Sequence, residues 1–368
     1  MGNYPQIKFR ASVWVLLACL VFAAAARAQD PLLDSTDAPV AARWSWFGDL
    51  VLRYDHVRGL PSGRTDLERG RGRLRLGGEW AVMPTLQIGA AIELAQGTDS
   101  NHDNRINNDN ERSDGGNLDQ LFLRWKVAEA STMLLGKAPL PLELSPLVWD
   151  QDLRPAGVSI DHAFNLGDFD RLQLTAGWFA GQHLYDDRSR IGAVQLAWRW
   201  HEGAPTRAGV ILSWLDFSNL QQLTTQGLSR TNLKSAGRLV SDFRLLDLQL
   251  IGHTEVGTWP LEARLDLLRN TGADAARDGA RFSLVLGDRF QTGGWEFGFA
   301  QQRSQRDAAM AAFSADDWWF HSFAHGVMPW VGYGFAERWS ARLAGFHELR
   351  DGLSEHTDRI LLDVESRW

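Results

Sequence analysis

Arg69, Arg71, Arg73 and Arg75 stand two residues apart in "RGRGRLRLGGEW" (69–80), with Gly70, Gly72, Leu74, Leu76, Gly78 and Trp80 between them and after them. Four guanidiniums at a spacing of two share one face of an extended strand, because successive side chains point to opposite faces. The chemistry available to such a face is electrostatic. It can carry a strip of fixed positive charge that favours anions, as rows and rings of Arg do in pores. It can also form ion pairs with Asp49, Asp55 and Glu93 that brace a wall.

Other residues with chemical capacity are weaker candidates. Asp99, Asn101 and Asp103 have the spacing of a calcium loop, but Asn104 and Asn110 stand where the glycine and the twelfth ligand belong. A plain acidic surface loop accounts for them. His321 and His325 in "HSFAH" lack the Glu of a zinc-protease helix and are expected as rim or loop residues. No metal site, no cofactor motif, no Gly-rich phosphate loop and no Gly-x-Ser-x-Gly elbow is read in the chain. No catalytic set is assigned.

The elements that position the arginines are strands. Segments of about ten residues alternate apolar and polar, the period of a strand with two different faces. Strand starts are expected at Trp44, Arg69, Thr85, Leu118, Thr132, Ala156, Phe169, Arg190, Arg207, Phe243, Trp259, Ala280, Gly294, about Trp319, Arg338 and Arg359, about 16 in all. The fourteenth contains Pro329 and either starts late or carries a bulge there. The connections alternate between short turns and longer, more polar segments such as 58–68, 97–117, 139–155, 218–242 and 304–318. That alternation is characteristic of an up-and-down transmembrane β-barrel with turns on the periplasmic side and loops outside.

The two faces separate cleanly. Leu86, Ile88, Ala90, Ile92 and Leu94 share one face of the third strand, with Gln87 and Glu93 behind. By the same phase Arg53, Arg124, Lys126, Lys137, Arg171, Arg199, Arg264 and Arg342 face the lumen. Asp49, Glu79, Glu93, Asp161, Asp247, Glu262, Asp266, Glu296 and Glu348 face it too, so ion selectivity cannot be read from totals. His162 falls on the lipid-side phase. A slip of one residue would turn the arginine row to lipid, at roughly 2–4 kcal/mol for each Arg near the midplane. The row therefore fixes the strand's orientation.

A soluble sandwich would show the same alternation. Tryptophans near strand ends (Trp44, Trp80, Trp125, Trp200, Trp259) argue against it. So does the last segment, "DRILLDVESRW", which ends on an aromatic and would be an exposed apolar edge in a soluble protein. This segment resembles the terminal strand by which outer-membrane barrels are recognised by the barrel-assembly machinery.

The N-terminus has the build of a secretory signal peptide (1–28): basic Lys8 and Arg10, an apolar run, then Ala26-Arg27-Ala28. A short periplasmic segment (29–43) and the barrel (44–368) follow. The one cysteine, Cys19, lies inside the signal, so the mature chain is expected to have no disulfide. The chain is acidic, with 45 Asp+Glu against 38 Lys+Arg, which argues against nucleic acid as a partner.

Between the fifth and sixth strands, "GKAPLPLELSPLVWDQDLRPAGVSID" (136–161) has the prolines and leucines of a segment that packs on something. Folded inward, it would bring Glu143, Asp150, Asp152 and Arg154 into the channel as a constriction loop. Carboxylates there, opposite the arginine row, would set up a transverse field. Gly136-Lys137 followed by Pro139, "LVWDQDL", and Pro155-Ala156-Gly157 resemble the segment shared by the bacterial putative-porin family. "RLRLG" and "NLDQLFLRW" are similar to that family as well, while Leu140 departs from it. The resemblance implies an outer-membrane β-barrel of a Gram-negative bacterium and passive diffusion of small hydrophilic solutes. Its surroundings would be outer-membrane lipid and lipopolysaccharide, and its assembly a homotrimer, as is usual for general porins. The rival expectations are an alginate-export-like barrel for an anionic polysaccharide, an outer-membrane hydrolase, and a soluble secreted sandwich that binds sugar.

Overall fold

The period-two pattern builds sixteen long strands that close on themselves. The computed structural model describes residues 43–102, 113–181 and 188–368. The signal segment and most of 29–43 lie outside the described residues, as do Asp103, Asn104 and Asn110. The wall consists of β1 (Trp44–Arg58), β2 (Leu67–Met83), β3 (Leu86–Gly97), β4 (Gly115–Ala128), β5 (Ser131–Lys137), β6 (Ala156–Asn165), β7 (Arg171–Ala180), β8 (Arg190–Trp200) and β9 (Arg207–Ser218). It continues after a loop with β12 (Phe243–Val256), β13 (Trp259–Asn270), β14 (Asp278–Gly287), β15 (Trp295–Ser304), β16 (Ala324–Ala336), β17 (Trp339–Arg350) and β18 (Thr357–Arg367). The intervening loop holds a short helix, α1 (Gln221–Thr225), and a two-stranded ribbon, β10 (Lys234–Ser235) with β11 (Arg238–Leu239).

All neighbouring wall strands are antiparallel, and the ring closes where β1 pairs with β18 from Asp49↔Arg367 to Arg58↔Asp358. Closure is what allows strands to cross a membrane, since every ladder hydrogen bond is then made within the wall. The terminal Trp368 extends the seam, its amide and carbonyl exchanging hydrogen bonds with Gly48 at 3.1 and 3.0 Å.

The sequence alternation maps onto an outside and an inside. Ile88, Ile92, Leu94, Leu121, Leu196 and Leu267 are exposed on the outer surface. Aromatic rings gather at the short-turn end: Trp44 stacks on Trp80 at 5.7 Å, Trp198 lies 4.5 Å from Trp200, and Trp295 lies 4.7 Å from Tyr333. This is the interfacial girdle of a membrane barrel. His162 keeps the outward phase expected of it. It sits at the short-turn rim, where its Nδ1 meets the Ser131 hydroxyl at 2.7 Å and its ring the edge of Phe164.

Fifteen of the expected starts fall within three residues of the observed ones. The exception is β16, which begins at Ala324 rather than near Trp319. Pairing with β17 is interrupted at Met328 and Pro329, where the proline has no amide to give. The residues ahead of Ala324 are drawn into the barrel. Residues 304–318, expected as one of the polar outer loops, are the largest correction to the sequence reading. Ala308, Ala309, Met310, Ala311, Ala312 and Phe313 are all almost completely buried. The run "AAMAAF" is apolar and compact, and within the barrel it finds apolar neighbours that bulk water would not supply.

Those neighbours form an internal core in the long-loop half of the lumen. Leu147, Val148 and Trp149 of the third long loop (138–155), Leu223 and Leu228 of the fifth (219–242), and Met310 and Phe313 of the seventh (305–323) pack with Ile191, Leu215 and Phe243 of the wall.

The seam provides a test of closure. A Cβ on Gly48 would lie 2.4 Å from the Arg75 carbonyl oxygen and 2.8 Å from the Trp368 ring. Gly48→Val is expected to lower the unfolding temperature of the barrel, at a cost of about 1–3 kcal/mol, read from the temperature at which the folded band is lost on unheated gels.

Candidate pore constriction

The arginine row lies on the lumenal face of β2, and the wall meets it with acid. Arg69 donates to Asp55 at 2.7 Å and to Asp99 at 3.3 Å. Arg73 reaches Asp49 at 3.3 Å and Asp152 at 2.8 Å. Arg75 donates to Glu93 at 3.0 Å and to Asp152 at 2.8 Å. Arg71, with Nε and Nη2 buried, lies between them opposite Arg53. The register explains the matching, because Asp49, Asp55 and Glu93 stand directly across from Arg75, Arg69 and Arg75 on the strands flanking β2. Asp55 also takes two hydrogen bonds from Arg359 of β18, so one fully buried carboxylate ties three strands at the seam. Removing one member of so buried a set leaves a charge uncompensated, which costs about 3–5 kcal/mol.

The third long loop does fold inward. Its carboxylates separate into two groups. Asp152 sits against Arg73 and Arg75, and its amide donates to Asp150 Oδ1 at 2.9 Å. Asp150 is itself buried, and its amide donates to the Phe313 carbonyl at 2.6 Å. Arg154 turns back to the Leu153 carbonyl and comes to 3.6 Å from Asp119. Burial, and the Arg75 guanidinium beside it, draw Arg154 below its ordinary value. Glu143 reaches the opposite wall. Arg199 of β8 and Arg264 of β13 donate to its two oxygens at 3.0 and 2.8 Å, while Gln195 and Gln249 hold its carbonyl at 2.8 Å each. The loop thus spans the lumen from the β2 wall to the β8–β13 wall, pinned at both ends by charge.

The remaining expected lining residues fall in different places. Arg124 faces the lumen near the short-turn end and donates to Glu79 at 2.9 Å and Gln87 at 3.0 Å. Lys126, two residues on, is exposed at that mouth. Lys137 is set opposite Leu121, an exposed residue of the outer face. Its Nζ donates to the Leu118 carbonyl, so the register separates it from the lumenal arginines. Met133, Leu135 and Lys137 share one face of β5, and the exposed Leu135 marks it as the outer face, so the strand's own alternation places Lys137 outside. Of the weaker candidates, Asp99 pairs with Arg69, and Asn101 accepts the Ser113 amide at 2.8 Å. His325 stands at the long-loop rim, whereas His321 is buried in the seventh loop beside Arg230 and Ser314.

Sequence reasoning did not find the second inward loop. Trp149 stacks on Phe313 at 5.6 Å, and the Ala315 amide donates to the Pro146 carbonyl at 3.0 Å, so the third and seventh loops are interlocked. Asn232 of the fifth loop clamps the same turn through the Ala309 carbonyl and the Ala311 amide, both at 2.8 Å. The far end is fastened by charge. Arg53 donates to Asp317 at 3.0 Å and to Asp363 at 2.7 Å, Arg342 approaches Asp317 at 3.7 Å, and Glu348 accepts the Trp319 and Phe320 amides. The signal was present as "AAMAAFSADDWWF", an apolar run too long for a solvated loop and followed by two aspartates.

No family model matches the chain, and no curated protein matches it. Solved structures do. Pseudomonas putida OprB at high pH is 11% identical with a TM-score of 0.60, covering 89% of this chain and 95% of that one. Salmonella typhi OmpF in complex with daunomycin is 14% identical with a TM-score of 0.53, covering 88% and 97%. An OmpT variant lacking its loop L8, an outer membrane protein of Vibrio cholerae, is 11% identical with a TM-score of 0.52, covering 88% and 99%. At these identities the likeness is one of fold, that of the outer-membrane β-barrel.

The seventh loop's fastening has a defined pH dependence. Burial alone would raise the Asp317 carboxyl, but Arg53, Arg342 and Arg359 outweigh it and hold it below the usual carboxylate range. A group lowered on folding contributes stability in full above its unfolded value, about 4, and loses it as pH falls through the folded value. The difference in unfolding temperature between the native chain and Asp317→Asn should therefore stay constant from about pH 7 to about pH 5 and shrink only below about pH 4. A difference already fading above about pH 5 would contradict the clasp.

Proposed function

We propose that the chain is an outer-membrane diffusion channel of a Gram-negative bacterium, passing small hydrophilic solutes through a constriction shaped by two inward loops. The observation that carries this is the division of the closed sixteen-stranded wall: leucine and tryptophan outside, hydrogen-bonded charge inside. A wall of that width leaves a lumen that side chains alone do not fill. Here the filling comes from loops, and the groups left partly accessible within it are ion pairs such as Glu143 with Arg199 and Arg264.

Arg69, Arg73 and Arg75 all contact carboxylates, which supports wall-bracing as the main work of the row and a modest preference between anions and cations. Solutes bearing both donors and acceptors are the natural cargo of so mixed a surface. β18, with Trp368 after it, would serve as the signal for the barrel-assembly machinery, and a homotrimer in outer-membrane lipid, the usual assembly of general porins, would be in keeping with this reading.

Planar-bilayer recording tests this reading. The native chain is expected to conduct. Arg71→Ala/Arg73→Ala should shift the reversal potential toward cations, since it strips positive charge from around Asp49 and Asp152. Glu143→Gln should shift it toward anions by freeing Arg199 and Arg264. A native barrel that inserts but carries no current would end the channel reading. Selectivity unmoved by either substitution would remove these residues from the solute path.

A further inference from the structure

The outer surface is not uniform at its long-loop end. On β7 and β9 that end carries exposed Trp178 and Trp214, with the Arg190 guanidinium 5.7 Å from the Trp178 ring. That pairing of aromatic and cation belongs to a bilayer interface. Between β13 and β18 the aromatics give way to polar groups. The outward positions there are Arg269, Gln301 and Arg303, then His325 and His347, with the His356 ring of the following loop stacked on His347 at 4.1 Å.

Below these groups the wall is grooved. One groove of about 410 Å³ runs between Leu265, Phe282, Val327 and Leu349, with the histidines at its rim. A second, of about 460 Å³, runs between Leu246, Leu248 and Leu267. Ala280 and Arg303 line both. The small Ala280 leaves the troughs open, and Arg303 stands between them at the polar end.

Arg303 is also under-partnered for its position. The other acids of this rim are engaged: Asp278 takes hydrogen bonds from Arg269 at 2.7 and 3.3 Å, and Asp358 meets His347 Nδ1 at 2.7 Å. Asp351 lies 3.3 Å from His325 Nδ1 and only within 3.8 Å of Arg303, beyond hydrogen-bond reach. The Arg303 side chain is 62% exposed. A planar guanidinium with open donors at the head of two apolar troughs matches a phosphate that carries acyl chains.

We propose that this sector is a binding site for one phosphorylated, multiply acylated glycolipid of the outer leaflet. Its phosphate is held by Arg303, its chains lie in the two grooves, and its sugar hydroxyls face Gln301, His347 and His356. The proposal rests on the placement of the barrel in an outer membrane, with its long loops outward. A glycolipid suits the rim better than a phospholipid because the polar band is several side chains deep, which a saccharide headgroup can span.

The test uses the full purified chain in detergent, with native mass spectrometry counting retained lipid. The probes are lipid A, dephosphorylated lipid A, phosphatidylglycerol and inorganic phosphate. The variants are Arg303→Ala, Ala280→Trp to fill the grooves without touching charge, and Arg190→Ala on β8, outside the grooved sector. The native chain and Arg190→Ala should retain lipid A about tenfold more tightly than Arg303→Ala or Ala280→Trp, as expected for loss of one charge-assisted contact. Dephosphorylated lipid A should bind the native chain as weakly as lipid A binds Arg303→Ala. Equal retention by Arg303→Ala overturns the site, and so does Arg303-dependent binding of phosphatidylglycerol or inorganic phosphate as strong as that of lipid A. Conductance of the same preparations keeps the two readings apart, because Arg303 faces away from the lumen. A conducting barrel without Arg303-dependent retention ends this inference alone, and a silent barrel with it ends the channel alone.

Discussion

Every part of this structure depends on one requirement: a backbone crossing hydrocarbon must satisfy all of its own hydrogen bonds. An open sheet of sixteen strands would leave two unpaired edges. The pairing of β1 with β18 removes both, and Trp368 completes it by exchanging hydrogen bonds with Gly48. Closure then dictates side-chain chemistry. Half of each strand's residues face outward and half face the lumen, and within the hydrocarbon band charge belongs only on the second set, outward charges such as Arg269 and Arg303 standing at the rim. The arginine row of β2 is the strongest statement of that rule in the chain, because no other register could accommodate it.

Inside the wall, charge is organised by contact rather than displayed. Asp55 binds Arg69 and Arg359, Asp152 binds Arg73 and Arg75, Glu143 binds Arg199 and Arg264, and Asp317 binds Arg53. Isolated exposed ion pairs contribute little. These are partly or wholly shielded and each carboxylate serves two or more donors, save Asp317, which has one close donor and a second guanidinium at 3.7 Å. Their effect is positional: they fasten two loops to opposite sides of the lumen at fixed heights. The open part of the lumen is thus defined by where loops are anchored, not by the width of the wall.

The wall was legible in the sequence because alternation is a local signal. Strand starts, the outward leucines and the lumenal face of β2 all follow from a period of two and from turn composition. The third loop was legible too, since Leu144, Leu147 and Trp149 require a surface to pack on. What failed was whatever depended on partners distant in sequence. Residues 304–318 read as one of the longer, more polar connections and so as an outer loop. Asp317 within them finds Arg53 and Arg342, both distant in the sequence. Lys137 stands on the outer face because Leu135, two residues before it, does, so the lumenal expectation ran against the strand's own alternation. The pairing of Arg73 with Asp152 could be anticipated only as a direction, since sequence gives charge but not distance.

The interlock of the third and seventh loops bears on how the molecule is built. Trp149 and Phe313 belong to segments separated by nearly half the chain, yet neither loop has its apolar side covered until the other is in place. The interior therefore cannot consolidate hairpin by hairpin as the wall is laid down. Strands may be added one after another, but the apolar side of the third loop stays wet until the hairpin that carries "AAMAAF" is in place, and the ring must then shut around contents already docked. Such a barrel matures in two stages, wall first and filling last. The second stage is the one during which an unfinished molecule is sticky, leaky and open to proteolysis.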